Sequence, residues 1–98
     1  MIQIIALLHA TKNGRKGLRE FESKVIPILR EHKGNLISAS YNENKTVSEP
    51  DEVHVIQFPS IENFEAYKSD VRVVELASLK SEMISKMDVF ITNMFYEY

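Results

Sequence analysis

Lys80 is the side chain whose place in the sequence most clearly predicts chemistry. It falls near the centre of a broad apolar sector of a predicted helix when residues are spaced at about 100°. An ammonium group in such a sector must find a partner or a cavity, because burying an isolated charge is unfavourable. Two interpretations stay open. In one the stem packs on a sheet and the head reaches water; in the other the head enters a polar pocket that binds an anionic or carbonyl-bearing ligand.

Histidine is the other residue type here that could do acid–base or metal chemistry near neutral pH. His9, His32 and His54 share no metal-ligand spacing, such as positions i and i+4 of one helix, so we predict neither a metal site nor a cofactor. His32 is the last residue of the apolar stripe of a predicted helix, where a helix C-terminus favours a cation or a donor. His9 and His54 lie in predicted strands, and either could serve as a general base.

No local motif assigns a reaction. The chain shows no recognisable carboxylate pair, Ser-His-Asp arrangement or glycine-rich phosphate loop, and Asn13-Gly14 predicts only a turn. Met83, Met87 and Met94 group near the last predicted helix and strand, where methionine either fills the core or lines an adaptable pocket. Any chemistry would therefore depend on a cavity that the fold creates.

The composition is that of an ordinary globular domain and argues against several classes of function. With 98 residues, 44% hydrophobic and 27% charged, the chain predicts a single domain over residues 1–98, neither disordered nor fibrous. A net charge of -2, with no basic run beyond KNGRK, argues against nucleic acid and membrane surfaces as partners. No apolar run approaches the roughly 20 residues of a membrane span and no secretory signal is recognisable, so we predict a cytoplasmic location.

Sequence periodicity predicts the elements that would position these side chains. Residues 2–10 predict a strand that is apolar on both faces. A helix comes after the loop TKNG, because apolar residues recur there at the i, i+3, i+4, i+7 spacing. We expect Pro27 to kink this helix without ending it, and Gly34 to close it in a left-handed conformation. The stripe consists of Leu18, Phe21, Val25, Ile28, Leu29 and His32.

The middle of the chain predicts two strands and a sharp corner. Residues 35–42 predict a strand whose even-numbered side chains, from Leu36 to Ser40, face one way and whose odd-numbered side chains face the other. After a polar loop, residues 52–58 predict a third strand. Pro59 would end it and Ser60 would cap a helix over residues 61–68.

The last third predicts a longer helix, from about residue 72 to about Met87, and a final strand over residues 88–98. The order βαββ(αα)β is the ferredoxin-like α+β arrangement, a four-stranded antiparallel sheet with helices on one face. The first and last strands are apolar on both faces, so the open side of the sheet would also be apolar. We therefore predict a homodimer in which two sheets stack face to face.

The segment VIQFPSIENFEAYKSD resembles the corresponding part of dimeric α+β barrel proteins. It is most similar to the unknown-function branch numbered thirteen-thirty, with antibiotic-biosynthesis-type monooxygenases as more distant kin. The matching features are a strand that runs into Phe58, Pro59 and Ser60, and a short helix with an aromatic residue, Tyr67, near its end. KVIPILREHKGNLI also matches, with a proline in the first helix and a glycine before the second strand. The resemblance covers nearly the whole chain.

Several positions depart from this family pattern. Gln57 stands where a glutamate usually precedes the phenylalanine, Lys80 where an arginine is often found, and Asn35 where a second glycine is common. The chain also has no tryptophan, the residue that haem-degrading relatives use to shape their pocket.

The resemblance implies a small-molecule cleft between helices and sheet, where oxygenase relatives bind their substrates. By resemblance, the candidate ligand-binding residues are Lys80, Gln57, His54, Tyr67 and Asn93. Strand alternation places His54 and Gln57 on opposite faces, so at most one of them lines any single cleft.

Two functions stay open for such a cleft. One is a cofactor-independent, monooxygenase-like enzyme acting on a small organic molecule, and the other is a non-catalytic small-ligand-binding or regulatory dimer. RNA binding is disfavoured, because the third strand has valines and acids where RNA-binding modules place aromatic and basic residues.

Overall fold

The computed structural model describes residues 1–94 and Tyr96, and it confirms the predicted ferredoxin-like α+β fold. The four strands form one antiparallel sheet in the order β2-β3-β1-β4, with the helices on one face. Of the described helices, none is long and apolar enough to cross a membrane. The elements are β1 Ile2–Ala10, α1 Gly14–Glu31, β2 Asn35–Tyr41, β3 Glu52–Phe58, α2 Ile61–Ser69, α3 Val71–Glu75, α4 Ala77–Met83 and β4 Ile84–Thr92.

Helix α1 forms as its apolar spacing predicts, and it runs without interruption through Pro27. Its buried face packs on β1 and supplies much of the core, including the fully buried Leu18. The predicted left-handed glycine cap is wrong in detail. Lys33, not Gly34, has the positive φ of 66°. The Gly34 N–H donates to the Leu29 carbonyl (2.9 Å) and the Lys33 N–H to the Arg30 carbonyl (3.0 Å), which is the Schellman pattern.

Gly34 is needed for space and not for its backbone conformation. A Cβ at this position would lie 2.5 Å from Leu29 Cδ2 and 2.8 Å from Phe58 Cζ. Both neighbours are themselves buried, so neither can move away easily. The chain therefore passes from α1 to β2 in direct contact with the core.

The corner between β3 and α2 is built as predicted. Phe58 ends the strand as one of the most buried side chains, and Pro59 comes next, outside the ladder. The Ser60 hydroxyl accepts a hydrogen bond from the Asn63 N–H at 3.4 Å and so caps α2. This corner turns the chain from the sheet onto the layer of helices within two residues.

The prediction of one long helix ending at about Met87 is wrong. The helical segment breaks at Leu76 into α3 and α4, and β4 begins at Ile84. Met87 pairs with Leu8 and Val89 with Ala6 along β1, so pairing with the central strand outweighs local helix preference. The strand ends at Thr92, so the prediction that it continues through Asn93 and Met94 is wrong. Phe95, Glu97 and Tyr98 lie outside the described residues.

The predicted faces of β2 also need correction. Its register with β3 shifts between Leu36 and Ser38, so one extra residue, Ile37, is accommodated there. Leu36 therefore shares the helix-facing side of the sheet with Ala39, while Ser38 lies on the open side. A bulge of this kind changes side-chain direction without leaving a clear sequence signal.

We expect Gly34→Ala to destabilise the protein by about 1 to 3 kcal/mol, because the added methyl group overpacks a buried corner. Urea denaturation would measure the loss. The neighbouring exposed residue provides the control, since Asn35→Ala should change the free energy of unfolding by less than about 0.5 kcal/mol. Equal midpoints for the two variants would contradict the close contact with Leu29 and Phe58.

Candidate functional site

A cavity of about 620 Å³ lies between the sheet and the helices. This volume is within the range of roughly 300 to 1,000 Å³ typical of small-molecule sites. Its lining is mostly apolar and comes from all four strands and all four helices. The exposed lining residues, which mark its opening, include Lys68 of α2, Val74 of α3, Lys80 of α4 and Val89 and Ile91 of β4. The buried core is correspondingly divided into two clusters, one around Leu18 and Met83 and the other around Phe58 and Phe64.

A short network of charged side chains links the corner between α2 and α3 to the C-terminal end of α1. The Asp70 carboxylate accepts hydrogen bonds from His32 Nε2 at 2.8 Å and from Arg72 Nη2 at 2.9 Å. Arg72 also forms a bidentate pair with Glu31, at 3.0 and 3.1 Å. Arg72, and then His32, hold the pKa of the Asp70 carboxyl well below its usual range. His32 thus lies at the C-terminal end of α1, as expected, and it also anchors the α2–α3 corner.

Three ionisable side chains are buried together, and two of them line the cavity. Glu22 comes from α1, and Glu52 and His54 come from the helix-facing side of β3. Their residues are only 8%, 3% and 6% exposed, respectively. Glu22 and His54 line the cavity directly, whereas His9 lies on the opposite face of the sheet. We call Glu22, Glu52 and His54 the buried triad.

The hydrogen-bond geometry of the buried triad leaves one oxygen unsatisfied. His54 Nε2 lies 2.9 Å from Glu52 Oε1 and 3.3 Å from Glu22 Oε2. Because both neighbours are carboxylate oxygens, Nε2 must carry a hydrogen, and the geometry directs it to Glu52. Glu22 Oε2 consequently accepts no hydrogen bond from the described residues, although it is fully buried. Such an atom is costly to leave unpaired, so it marks a place where a ligand donor would be favourable.

The same geometry shifts the proton affinity of all three groups. Burial raises the pKa of Glu22, and the adjacent Glu52 adds to this rise while His54 partly opposes it. Burial alone would lower the pKa of His54, but the adjacent carboxylates of Glu22 and Glu52 outweigh it and raise the pKa to about 9. Burial would raise the pKa of Glu52, but His54 and Glu22 lower it. These shifts favour an imidazolium at His54 beside an ionised Glu52, and they make the Glu22 carboxylate a better proton acceptor than an exposed carboxylate.

The three triad atoms lie within 4.8 Å of one another, and within the described residues this is the one cluster of His, Cys, Asp or Glu with that spacing. Metal ligands can converge in the same way. In this structure, however, the His54 nitrogen facing both carboxylates is engaged as a hydrogen donor. We therefore describe the cluster as a proton network.

The structure brings three of the five sequence-predicted site residues to the cavity. His54, Tyr67 and Lys80 all line it. Burial raises the pKa of Tyr67 to about 12, so its hydroxyl stays protonated and can donate. Gln57 points to the opposite face of the sheet, as strand alternation predicted, and Asn93 lies beyond the end of β4 in an exposed bend. Lys80 is exposed at the opening, with its chain alongside the cavity.

Sequence reasoning missed Glu22 and Glu52, although each carries a recognisable signal. Glu22 lies four residues after Leu18 and three before Val25, so it falls inside the apolar stripe of α1. Glu52 has the same parity as His54 on a short strand and must share its face. A carboxylate inside an apolar stripe, and another two residues from a strand histidine, would have indicated buried charges.

Comparison with known proteins shows the fold and nothing finer. No protein-family model and no curated protein matches the sequence. A protein of unknown function from Rhodopseudomonas palustris is 12% identical with a TM-score of 0.81, covering 98% of this chain and 83% of its own. A Nitrosomonas europaea protein proposed to be an antibiotic biosynthesis monooxygenase is 10% identical with a TM-score of 0.73, covering 98% and 100%.

A third solved structure shows a similar fold. It is a dimeric ferredoxin-like protein of unknown function from Thermobifida fusca, 14% identical with a TM-score of 0.63, covering 95% of this chain and 90% of its own. These structures confirm the predicted fold along nearly the whole chain. Membership of the branch numbered thirteen-thirty stays a prediction.

The pKa of His54 predicts how stability depends on pH. Because the folded value of about 9 lies above the ordinary 6.5, protonation of His54 stabilises the fold fully below pH 6.5. This contribution, at most about 3 kcal/mol, should disappear as the pH rises to about 9. Histidine NMR titration and urea denaturation at several pH values would measure the pKa and the loss of stability.

The control for this titration is His54→Gln, whose unfolding free energy should lack that decline between pH 6.5 and 9. Glu52→Gln should also bring the His54 midpoint down, because it removes the hydrogen-bonded carboxylate. A His54 midpoint near 6.5 in the unmodified protein would contradict the buried triad.

Proposed function

We propose that this protein binds a small organic molecule in the cavity and transfers a proton to or from it, acting in the cytoplasm as the composition predicts. One observation carries the proposal. Glu22 Oε2 is buried in the cavity wall beside His54 and accepts no hydrogen bond from the described residues. A carboxyl group with a raised pKa, facing a largely apolar cavity, is suited to general acid–base work.

In the proposed step Glu22 acts as the base. Its carboxylate accepts a proton from a phenolic O–H or an acidified C–H of the bound molecule, whose electron pair stays on the molecule. Proton uptake changes the net charge of the buried triad from -1 to zero, which favours the step in a poorly solvated site. The new substrate anion lies next to the His54 imidazolium, which stabilises it electrostatically.

The resemblance to monooxygenases suggests an oxidation after proton removal. An electron-rich aromatic anion can react with dioxygen without a protein-bound cofactor. A phenol and dioxygen then give a quinone and water, so that the ring gains one oxygen atom and the other leaves as water. The likeness to the proposed monooxygenase of Nitrosomonas europaea supports this version, through the fold alone.

A second candidate is a regulatory or carrier protein that binds the same kind of ligand without chemistry. One observation favours it: His54 is already held by Glu52 at 2.9 Å and so is a fixed part of the wall, not a free base. Such a protein would be stabilised by a ligand but would leave it unchanged. Ligand-induced thermal stabilisation without any product would therefore select this candidate over the enzyme.

We expect Glu22→Gln to lower turnover by about 100-fold or more, because an amide cannot take the proton. The assay is oxygen consumption, with product analysis, on a panel of phenols and naphthols. Thermal stabilisation by the same compounds should be reduced but not lost, since the amide fills the same space but is a weaker acceptor for the ligand hydroxyl. Glu20→Gln, an exposed change on the same helix, is the matched control.

Two results would contradict the catalytic role of Glu22. Full turnover by Glu22→Gln would exclude it as the base. Loss of turnover on chelation of metals, restored by a divalent cation, would show that the buried triad works through a metal ion and not as a proton network.

We propose further that the protein is a homodimer through the open face of the sheet. Ile5, Val55 and Phe90 are neighbours across three strands on this face, and Leu7 and Val53 extend the patch. Phe90 is 54% exposed in the single chain, which is unfavourable for a large aromatic side chain in water. The neighbour from Thermobifida fusca, which is described as dimeric, supports a dimer.

We expect Val55→Asp to give a monomer, because it places a charge at the centre of the stacked sheets. Size-exclusion chromatography with light scattering at micromolar concentration would measure the mass. Ala66→Asp, an exposed change on α2 on the other side of the molecule, should remain dimeric. A monomeric unmodified protein would overturn the proposed assembly.

A further inference from the structure

The charges around the cavity differ between its opening and its interior. Lys68 of α2 and Lys80 of α4 both line it, and both are exposed. Glu22 is the only carboxylate among the described lining residues, and it is buried at the inner wall. The opening is therefore positive, whereas the unsatisfied acceptor lies inside.

Neither ammonium group is firmly engaged. Lys68 Nζ lies 3.3 Å from Glu65 Oε1, but both side chains are about half exposed, and such pairs contribute little. It also lies 4.7 Å from the centre of the Phe64 ring. The Lys80 ammonium makes no ion pair or hydrogen bond with the rest of the described chain. Two cations are thus available beside an apolar opening, where an anionic group could pair with them.

The interior favours a flat, ring-containing body. The Phe58, Phe64 and Tyr67 rings pack with centroids 5.4 to 6.5 Å apart and all line the cavity. Aromatic walls of this kind favour edge or offset contacts with another ring. The Glu22 carboxylate also lines the cavity, and its Oε2 accepts no hydrogen bond from the described residues, so a ligand hydroxyl that donates to this carboxylate would be favourable.

We infer that the ligand is a hydroxylated aromatic carboxylate. Its carboxylate lies between Lys68 and Lys80 at the opening, its ring contacts the aromatic wall, and its hydroxyl donates to Glu22. This inference rests on the proposed function, because it assumes that the cavity is the binding site. It adds that the substrate is an anion with a carboxylate at one end and a hydroxyl group at the other. Acid–base chemistry at Glu22 does not itself require the carboxylate.

The test uses matched probes that differ only in the acidic group. Calorimetry would compare para-hydroxyphenylacetate and a hydroxynaphthoate with their methyl esters and with the corresponding neutral phenol and naphthol. We expect the acids to bind about tenfold more tightly than the esters, with the difference decreasing as salt is added. The double change Lys68→Met and Lys80→Met should remove the preference for the acids while leaving ester binding unchanged.

Two controls separate charge from packing. Lys80→Arg keeps a cation at the opening and should keep the preference, whereas Lys24→Met changes an exposed lysine of α1 that does not line the cavity. Glu22→Gln should weaken the hydroxylated acids relative to the same acids without the hydroxyl group.

The outcomes distinguish this inference from the proposed function. Equal binding of acids and esters, or binding of the neutral phenols alone, overturns the carboxylate while leaving the cavity as the site. If the protein still prefers the acids after both Lys68 and Lys80 are changed to Met, the placement of the carboxylate between the two lysines is overturned. Failure of every probe to bind overturns both the ligand class and the proposed site.

Discussion

The central strand β1 must be paired on both edges and covered on both faces, and the rest of the structure depends on this requirement. Its edges bind β3 and β4, and its even-numbered side chains lie under α1 in the core. Its odd-numbered apolar residues, Ile5 and Leu7, face away from the helices. One face of the same strand therefore forms the floor of the cavity, and the other supplies the proposed dimer surface.

The buried triad works against stability unless its charges are balanced. A buried ion pair is seldom more stabilising than apolar residues of the same volume, since each charge loses its hydration. His54 and Glu52 offset part of this loss through their 2.9 Å hydrogen bond, but Glu22 Oε2 has no such compensation from the described residues. A chain selected only for stability would place an apolar residue at position 22. The proposed acid–base role would explain why a carboxyl group occupies this position.

Cavity and assembly are linked through the small size of the core. A chain of 98 residues buries a modest fraction of its surface, and here the buried residues are divided into two clusters beside a 620 Å³ space. Empty apolar space lowers stability because side chains around it lose packing contacts. Stacking the open sheet faces would restore buried apolar area without filling the cavity. The network of Asp70, Arg72 and His32 also stabilises the fold locally, because it holds the α2–α3 corner against the end of α1.

Local patterns in the sequence determined β1, α1, β3 and the corner at Pro59 and Ser60, because strand alternation, helix spacing and capping act over a few residues. They also placed His54 and Gln57 on opposite faces. Only the tertiary structure decided where α4 gives way to β4, since residues 84–87 become a strand by pairing with β1. It alone brought Glu22, from a helix, to within 3.3 Å of a histidine 32 positions later. No short-range pattern encodes that distance, because it depends on how α1 packs across the sheet.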